Sequence, residues 1–380
     1  MLSVIEPGCD DLERVVALPT GTLTVKVNHG VLPLDEICDF AARPNPKRGF
    51  LFVSKILGKH IPVRTATLTQ SYELLASRIS CDLPGPVVFV GMAETAIAMG
   101  HGVFSSWRRL TGRNDAMFLH TTRYRIEGDE AFGFLEEHSH AADHIVYRPE
   151  DPTCFELFEK ARSLVLVDDE ASTGKTFVNL SNAFAVGRDL QAVVPVVLTD
   201  WRGNERSRLM EAAMPAPGAM VSLLDGKWDF EPDPAMSTVK APDVRGNGAS
   251  KDDLAGRDWG RLGLIADPSF NVDLPRVREG EKVLVLGTGE FAYAAYLVAR
   301  KLEGSGASAW VQSTTRSPIM QGHAISDVLE FQDNYDDGIV NFLYNSRIQP
   351  YDRVLICTET PEVNVDQRLV SALNADILRF

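Results

Sequence analysis

The chain has 380 residues, 44% of them hydrophobic and 24% charged, which suits a folded globular protein of two domains or three. Its net charge of -14 argues against a general nucleic-acid or membrane-surface binder, since both partners are themselves anionic. Five cysteines (Cys9, Cys38, Cys81, Cys154, Cys357) stand far apart with no CxxC pair and read as buried free thiols in a reducing compartment. The opening MLSVIEPGCDDLERVV lacks the basic start and apolar run of a signal peptide, and no apolar run is long enough to span a bilayer. The expected location is cytoplasmic.

In chain order, GTLTVKVNHG (21–30) puts Leu23, Val25 and Val27 on one face, as a strand does, and LTQSYELLASRI (68–79) has helical spacing. PVVFVG (86–91) with a helix after it, DAMFLHTT (115–122), SLVLVDD (163–169) with a helix after it, and LQAVVPVVLTD (190–200) alternate apolar strands with helices. That alternation predicts an α/β fold, a mostly parallel sheet covered on both faces. Residues 231–258 are rich in Pro, Gly and Asp without periodicity and read as a linker or a long loop between a domain over 1–230 and another over 259–380. The latter is a smaller α/β, Rossmann-like unit: EKVLVLG, a helix through Arg300, ASAWVQS, then DRVLICTE.

The chemistry concentrates in SLVLVDDEASTGKTF (163–177). A strand ending at Asp168-Asp169, then a small-residue loop and a helix, places two acids beside an anion cradle at the ligand edge of an open α/β sheet. Ser172, Thr173 and Thr176 offer hydroxyls, Gly174 permits close approach, and Lys175 adds charge. A nucleoside-triphosphate loop would require glycine five positions before Gly174, where Asp169 stands, and two carboxylates would repel the triphosphate. The arrangement instead suits a ligand with one phosphate and a sugar diol.

VLVDDEASTGKT resembles the phosphoribosyl pyrophosphate (PRPP) motif of type I phosphoribosyltransferases. The resemblance implies that Asp168 and Asp169 are the acidic pair, and that Glu170, Ala171, Ser172, Thr173, Gly174, Lys175 and Thr176 hold the 5-phosphate. Lys175 departs from the small residue many members carry there. Such an enzyme needs a pyrophosphate site, which the resemblance places at Gly91, Met92, Ala93, Glu94 and Thr95, in FVGMAETAIAMGHG. It further implies Mg2+, brought with PRPP and contacted by Asp168 and Asp169. A mobile loop corresponds to GFLEEHSHAADHIVYRPED (133–151), so Glu137, His138 and His140 are candidates for leaving-group or nucleobase contacts. HxHxxxH, completed by His144, leaves a zinc cluster open as well. Arg48, Lys55, Lys59 and Arg64, and Arg123 with Arg125, read either as site cations or as solvated basic faces.

In the second domain, GTGEFA carries Gly287, Gly289 and Ala292 after a strand, but the next strand ends in Gln and Ser, where a dinucleotide site or a methyltransferase opening would want an acid. Three strand-end loops, at 288–290, 314–317 and 358–360, are expected to share one pocket. Gly287, Gly289, Thr315, Arg316 and Ser317 are its candidate ligand residues. STTRSPI, with GTGEF before it and DNYDDGIVNFLYN (333–345) after it, resembles the TRSP domain, which follows a phosphoribosyltransferase domain in its family. That resemblance implies an association with bacterial tellurium-resistance and stress operons. The combined expectation is displacement of pyrophosphate from PRPP by a nitrogen nucleophile on a small-molecule acceptor. A non-catalytic PRPP or nucleotide sensor is the alternative. Nucleic acid and membrane are not expected as partners, and a homodimer stays open.

Overall fold

The computed structural model describes residues 2, 12–45, 48–135, 143–235, 251, 254 and 259–380. The chain divides into two compact units, neither continuous in sequence. The first comprises Met1–Leu68, Leu224–Arg245 and Val272–Arg379, and the second comprises Thr69–Leu223, Gly246–Asn271 and Phe380.

The first unit opens with an antiparallel pair, β1 (Leu12–Leu18) and β2 (Gly21–Gly30). Leu23, Val25 and Val27 of β2 are buried on one face, as their alternation predicts. A short helix α1 (Leu34–Ile37) leads to a second antiparallel pair, β3 (Cys38–Ala42) and β4 (Phe50–Ser54), and then to β5 (Val63–Arg64). Helix α2 (Thr65–Ala76) carries the chain into the second unit.

There the alternation read from sequence is realised. The elements are β6 (Val87–Gly91), α3 (Ile97–Thr111), β7 (Ala116–His120), β8 (Glu130–Leu135), β9 (Asp143–Tyr147), α4 (Pro152–Glu159), β10 (Ser163–Val167), β11 (Glu170–Ala171), α5 (Lys175–Ala185), β12 (Ala192–Asp200) and α6 (Gly203–Ala213). Strands β12, β10, β6 and β7 lie side by side in that order, all parallel. Every residue of β6, β7 and β10 is buried, which is why these segments read as continuous apolar runs rather than alternating ones. Asp151 caps α4, its carboxylate accepting the N–H groups of Thr153 and Cys154 at 2.9 Å, with Pro152 in the first turn. Strands β8 and β9 pair antiparallel, where the resemblance implies a mobile loop over 133–151. Residues 259–264 line the free edge of β7. Phe118 exchanges both backbone bonds with Leu264 at 2.8 Å, and the His120 N–H donates to Gly260 O at 3.0 Å. His101 of α3 holds the same segment, its Nε2 3.0 Å from Trp259 O.

Strand β13 (Val221–Pro232) leads back into the first unit and pairs antiparallel with β2. The remaining elements are β14 (Lys282–Gly287), α7 (Ala292–Glu303), β15 (Ser308–Ser313), β16 (Val328–Gln332), β17 (Val340–Tyr344), β18 (Arg353–Thr358), α8 (Gln367–Leu373) and β19 (Asp376–Arg379). Their sheet runs β19-β18-β14-β15-β5, parallel except for β5, which lies antiparallel to β15.

Among the described residues no helix is long and apolar enough to cross a membrane. The cysteines need one correction. Cys38, Cys154 and Cys357 are buried free thiols, but Cys81 is exposed, because it lies in the turn after α2 rather than on a strand or an inward helix face. Burial, with the Asp151 charge beside it, pushes the Cys154 thiol up to about 12, and burial raises Cys357 as well. Since the thiolate is the reactive form, alkylation of the native protein at pH 8 should label Cys81 before Cys38, Cys154 or Cys357. Peptide mapping checks this, and equal labelling of Cys154 would contradict the burial.

Candidate active site

The site is built at the C-terminal edge of the second unit's parallel sheet. β10 is in register with β6 up to Val167 opposite Gly91, and with β12 up to Val167 opposite Val196. Asp168 therefore stands just beyond the sheet, its N–H making a last bond to Val196 O at 3.0 Å. Its carboxylate accepts the Asp169 N–H at 2.9 Å. Asp168, Asp169 and Glu170 are half-buried. The chain then returns to the sheet: Asp169 O accepts the Leu198 N–H at 3.0 Å, β11 pairs with Thr199 and Asp200, and Ala171 O accepts the Trp201 N–H at 2.7 Å. These bonds fix the base of the acidic loop from below.

The remainder of the loop turns into α5. Gly174 is the N-cap, with φ 78°, in the left-handed region that side chains resist. A Cβ there would also lie 2.4 Å from Met210 Sδ and displace that side chain, but it is the positive φ that favours glycine. Met210 is itself held by the Arg202 Nη1, 2.7 Å away. Arg202 in turn makes a buried two-pronged pair with Asp200, Nε to Oδ1 at 2.8 Å and Nη2 to Oδ2 at 2.7 Å. Thr173 Oγ1 accepts the Lys175 N–H at 3.3 Å, and Ser172 O accepts from Arg206 Nη1 at 3.0 Å. Lys175 is exposed, while Ser172, Thr173 and Thr176 are half-buried.

On the neighbouring strand, β6 ends at Gly91 and the chain turns through Met92, Ala93, Glu94 and Thr95 before α3. The Ala93–Glu94 peptide is cis. The Met92 N–H donates to Val167 O at 2.9 Å and the Ala93 N–H to Thr121 Oγ1 at 2.9 Å. Two backbone N–H groups of the turn that the resemblance assigns to pyrophosphate are thus already bonded within the protein. Glu94 is buried.

A third loop, after β7, joins the other two. The Thr121 N–H donates to Gly91 O at 3.0 Å, and its hydroxyl, besides receiving Ala93, lies 2.8 Å from His144 Nδ1. Thr122 and Ile145 exchange both backbone bonds at 2.9 Å, which anchors β9 to this loop. Arg123 reaches Ala93 O through Nη2 at 3.3 Å, whereas Arg125 pairs with Glu130 in solvent. Of the basic residues 48–64, Arg48 lies over the Phe50 ring and Arg64 over the Trp310 ring, Lys55 donates to Asp35 O, and Lys59 is buried, all within the first unit.

Two family models match this chain: "Phosphoribosyl transferase" over residues 37–227, and "TRSP domain C terminus to PRTase_2" over residues 268–373. The chain belongs to the phosphoribosyl transferase family. The two matches follow each other in the order read from the sequence. Similar solved structures include an adenine phosphoribosyltransferase from Thermoanaerobacter pseudethanolicus, 13% identical, covering 50% of this chain and 96% of its own, with a TM-score of 0.34. The adenine phosphoribosyltransferase from Rhodothermus marinus is 14% identical, covering 50% of this chain and 94% of its own at a TM-score of 0.29. A hypoxanthine phosphoribosyltransferase from Trypanosoma cruzi is 12% identical, covering 44% and 78% at 0.26. No curated protein matches the sequence.

In this phosphoribosyl transferase unit, the acidic pair, the 170–176 loop and the 91–95 turn come together at one sheet edge. Glu137, His138 and His140 lie outside the described residues. His144 is buried and bonded to Thr121, and among the described residues no group of three or more His, Cys, Asp or Glu could hold a metal ion. Sequence reasoning missed Thr121, Arg202, Met210 and Arg261. The last is buried, with Nε 3.3 Å from Thr122 Oγ1 and its guanidinium over the Tyr124 ring. It arrives from a segment 139 residues away in sequence, so no local pattern announces it. Thr121 had one signal, its place at a strand end in HTT.

Thr121→Val keeps the volume and removes the acceptor of the buried Ala93 N–H, which should cost about 1–3 kcal/mol in urea unfolding. Thr121→Ser should recover most of the loss. A valine variant as stable as the native protein would show that the hydroxyl carries no such bond.

Proposed function

We propose that this protein transfers the phosphoribosyl group of PRPP to a nitrogen nucleophile on a small acceptor. The observation that carries the reading is the half-buried Asp168–Asp169 pair at the end of the central strand β10, between a glycine-capped loop leading into α5 and the turn after Gly91. Family membership supports it independently.

In the proposed reaction the bond from the ribose C1 to the pyrophosphate oxygen breaks, and the electron pair leaves with pyrophosphate. A C1–N bond forms, and the nucleophile gives up its proton. Positive charge grows on C1 and the ring oxygen before the new bond is complete. Asp168 and Asp169 accept hydrogen bonds from the ribose hydroxyls and face that charge, so they stabilise the transition state more than the ground state. The loop 170–176 anchors the 5-phosphate through first-turn amides and hydroxyls, which converts binding energy into orientation. Arg123, bonded to Ala93 O, keeps positive charge beside the turn proposed for pyrophosphate. Glu137, His138 and His140 are proposed to contact the leaving group or the acceptor base.

The carboxylates also fit Mg2+, which takes hard oxygen donors, one or two carboxylates beside substrate phosphates. Asp168 and Asp169 would hold it, and when bound it offsets the pyrophosphate charge.

Incubating the protein with PRPP, Mg2+ and a panel of nitrogenous bases should release pyrophosphate with at least one of them. Replacing both acids, Asp168→Asn with Asp169→Asn, should leave the thermal melt intact. Each lost charge-assisted contact removes about 1.5–3 kcal/mol, so kcat/KM should fall by about two to four orders of magnitude. Native turnover in the double variant would sink the assignment. PRPP binding without turnover for every base would identify a sensor instead.

A further inference from the structure

The polar strand ends of the first unit are bonded to one another. The Thr314 N–H donates to Gly287 O at 3.0 Å and its hydroxyl accepts the Gly289 N–H at 2.9 Å. Thr315 exchanges both backbone bonds with Phe342, and its hydroxyl accepts the Ser317 N–H at 3.1 Å. Arg316 is buried, and the Asn334 amide donates to Thr360 Oγ1 at 2.9 Å and to Thr288 and Thr358 Oγ1 at 3.3 Å. In the second unit, buried polar groups gather around Thr121, beside the proposed active site.

Thr121 is 0% exposed, and each of its polar groups has a partner. Its N–H donates to Gly91 O at 3.0 Å, and its carbonyl accepts from His120 Nδ1 at 2.8 Å. Its hydroxyl oxygen accepts the Ala93 N–H at 2.9 Å and lies 2.8 Å from His144 Nδ1. These contacts fix where two imidazole hydrogens lie. A carbonyl can only accept, so His120 carries a hydrogen on Nδ1. A hydroxyl has one hydrogen to give, and among the described residues His144 Nδ1 is the acceptor within its reach. Were that nitrogen protonated, Thr121 Oγ1 would take two donors and its own buried hydrogen would go unbonded, which is costly. His144 is therefore neutral, with its hydrogen on Nε2 and a lone pair on Nδ1.

The strand register brings His144 to this point. Thr122 and Ile145 exchange both backbone bonds at 2.9 Å, so Thr121 lies across from Val146 and diagonal to His144, on one face of the pairing. His144 is 1% exposed. A phenylalanine of similar size would fill such a space but could offer no acceptor to Thr121. The Ala93 N–H is thus held by a hydroxyl whose own direction His144 sets. Ala93 belongs to the turn proposed to receive pyrophosphate, and its carbonyl accepts from Arg123 Nη2 at 3.3 Å.

We propose that His144 is a positioning residue for the reaction: with its hydrogen on Nε2 it accepts the Thr121 hydroxyl, whose oxygen holds Ala93 so that the turn after Gly91 keeps the shape that receives pyrophosphate. The chain of hydrogen bonds stands on the geometry alone, and its consequence for the reaction rests on the transferase reading. His144 touches neither PRPP nor the acceptor in this role. It shapes the turn before substrate arrives, so it favours binding of the pyrophosphate group in the ground state and the transition state alike.

Imidazole nitrogen NMR spectra of the native protein at mildly alkaline pH should place the His144 hydrogen on Nε2 and the His120 hydrogen on Nδ1. A His144 hydrogen on Nδ1 overturns the proposal without any substitution. His144→Phe keeps a ring of similar size and removes the acceptor, whereas His144→Asn is smaller and restores an acceptor oxygen near the Nδ1 position. His144→Phe should raise the KM for PRPP about tenfold with kcat little changed, and should speed hydrogen exchange at the Ala93 amide. His144→Asn should recover both. A residue that only fills the core gives the opposite order, His144→Phe native-like and His144→Asn impaired, and that order overturns the proposal. Pyrophosphate titrated with Mg2+ into the same three proteins separates this role from the transferase reading. Binding about tenfold weaker in His144→Phe and recovered in His144→Asn upholds the role of His144 even where no base is turned over, and the transferase reading alone then falls. Equal pyrophosphate affinity in all three proteins overturns the positioning role. Should His144→Phe fail to fold, the tautomer read in the native protein decides.

Discussion

Because β10 lies between β6 and β12 with all three strands parallel, each chain leaves the sheet at the same edge, and the register sets which residue leaves first. Val167 stands opposite both Gly91 and Val196, so the acidic pair and the turn at 91–95 begin side by side. A shift of one residue would turn Asp168 into the apolar layer and expose a valine in its place. The site depends on that register, and the register is secured by strands that are buried on both faces.

Rigidity at the site comes from bonds beneath it. Asp169 O, Ala171 O and the β11 pairing tie the acidic loop to β12, and the buried Asp200–Arg202 pair presses Met210 against the glycine that starts α5. The turn after Gly91 is held in the same way, by Val167, Thr121 and Arg123. Donors used for this purpose are spent within the protein, and they leave the loop with little conformational freedom. The Thr121 hydroxyl is the joint of the arrangement, since it touches the turn on one side and the β8–β9 hairpin on the other. Lys175 is exposed, so its charge is screened by solvent and salt.

The two units solve a similar problem with different chemistry. Each has parallel strands whose C-terminal ends carry small hydroxyl residues and acids. In the second unit the acids are half-buried and next to a helix start. In the first unit Glu290 and Glu359 are buried, and the Glu359 carboxylate accepts from Tyr335, which comes from the loop after β16. The more deeply a carboxylate is buried, the more its neighbours must offer it, which accounts for the density of hydrogen bonds there.

The apolar runs at 87–91, 163–167 and 192–200 and the helices between them determined a parallel α/β sheet, because strands buried on both faces have no freedom to be polar. The motif at 168–176 was legible for the same local reason: strand, acids, glycine and helix are consecutive, so their chemistry can be read without knowing what surrounds them. Tertiary structure alone decided the rest. It grouped residues 1–68 with 272–379, and 246–271 with 69–223, because contacts between distant segments leave no periodic trace in either segment. It also made Thr121 a junction, put Arg261 behind Thr122 and brought Asn334 across two strand ends. A hydrogen bond between side chains far apart in sequence is a fact about packing, and no pattern in the chain encodes it.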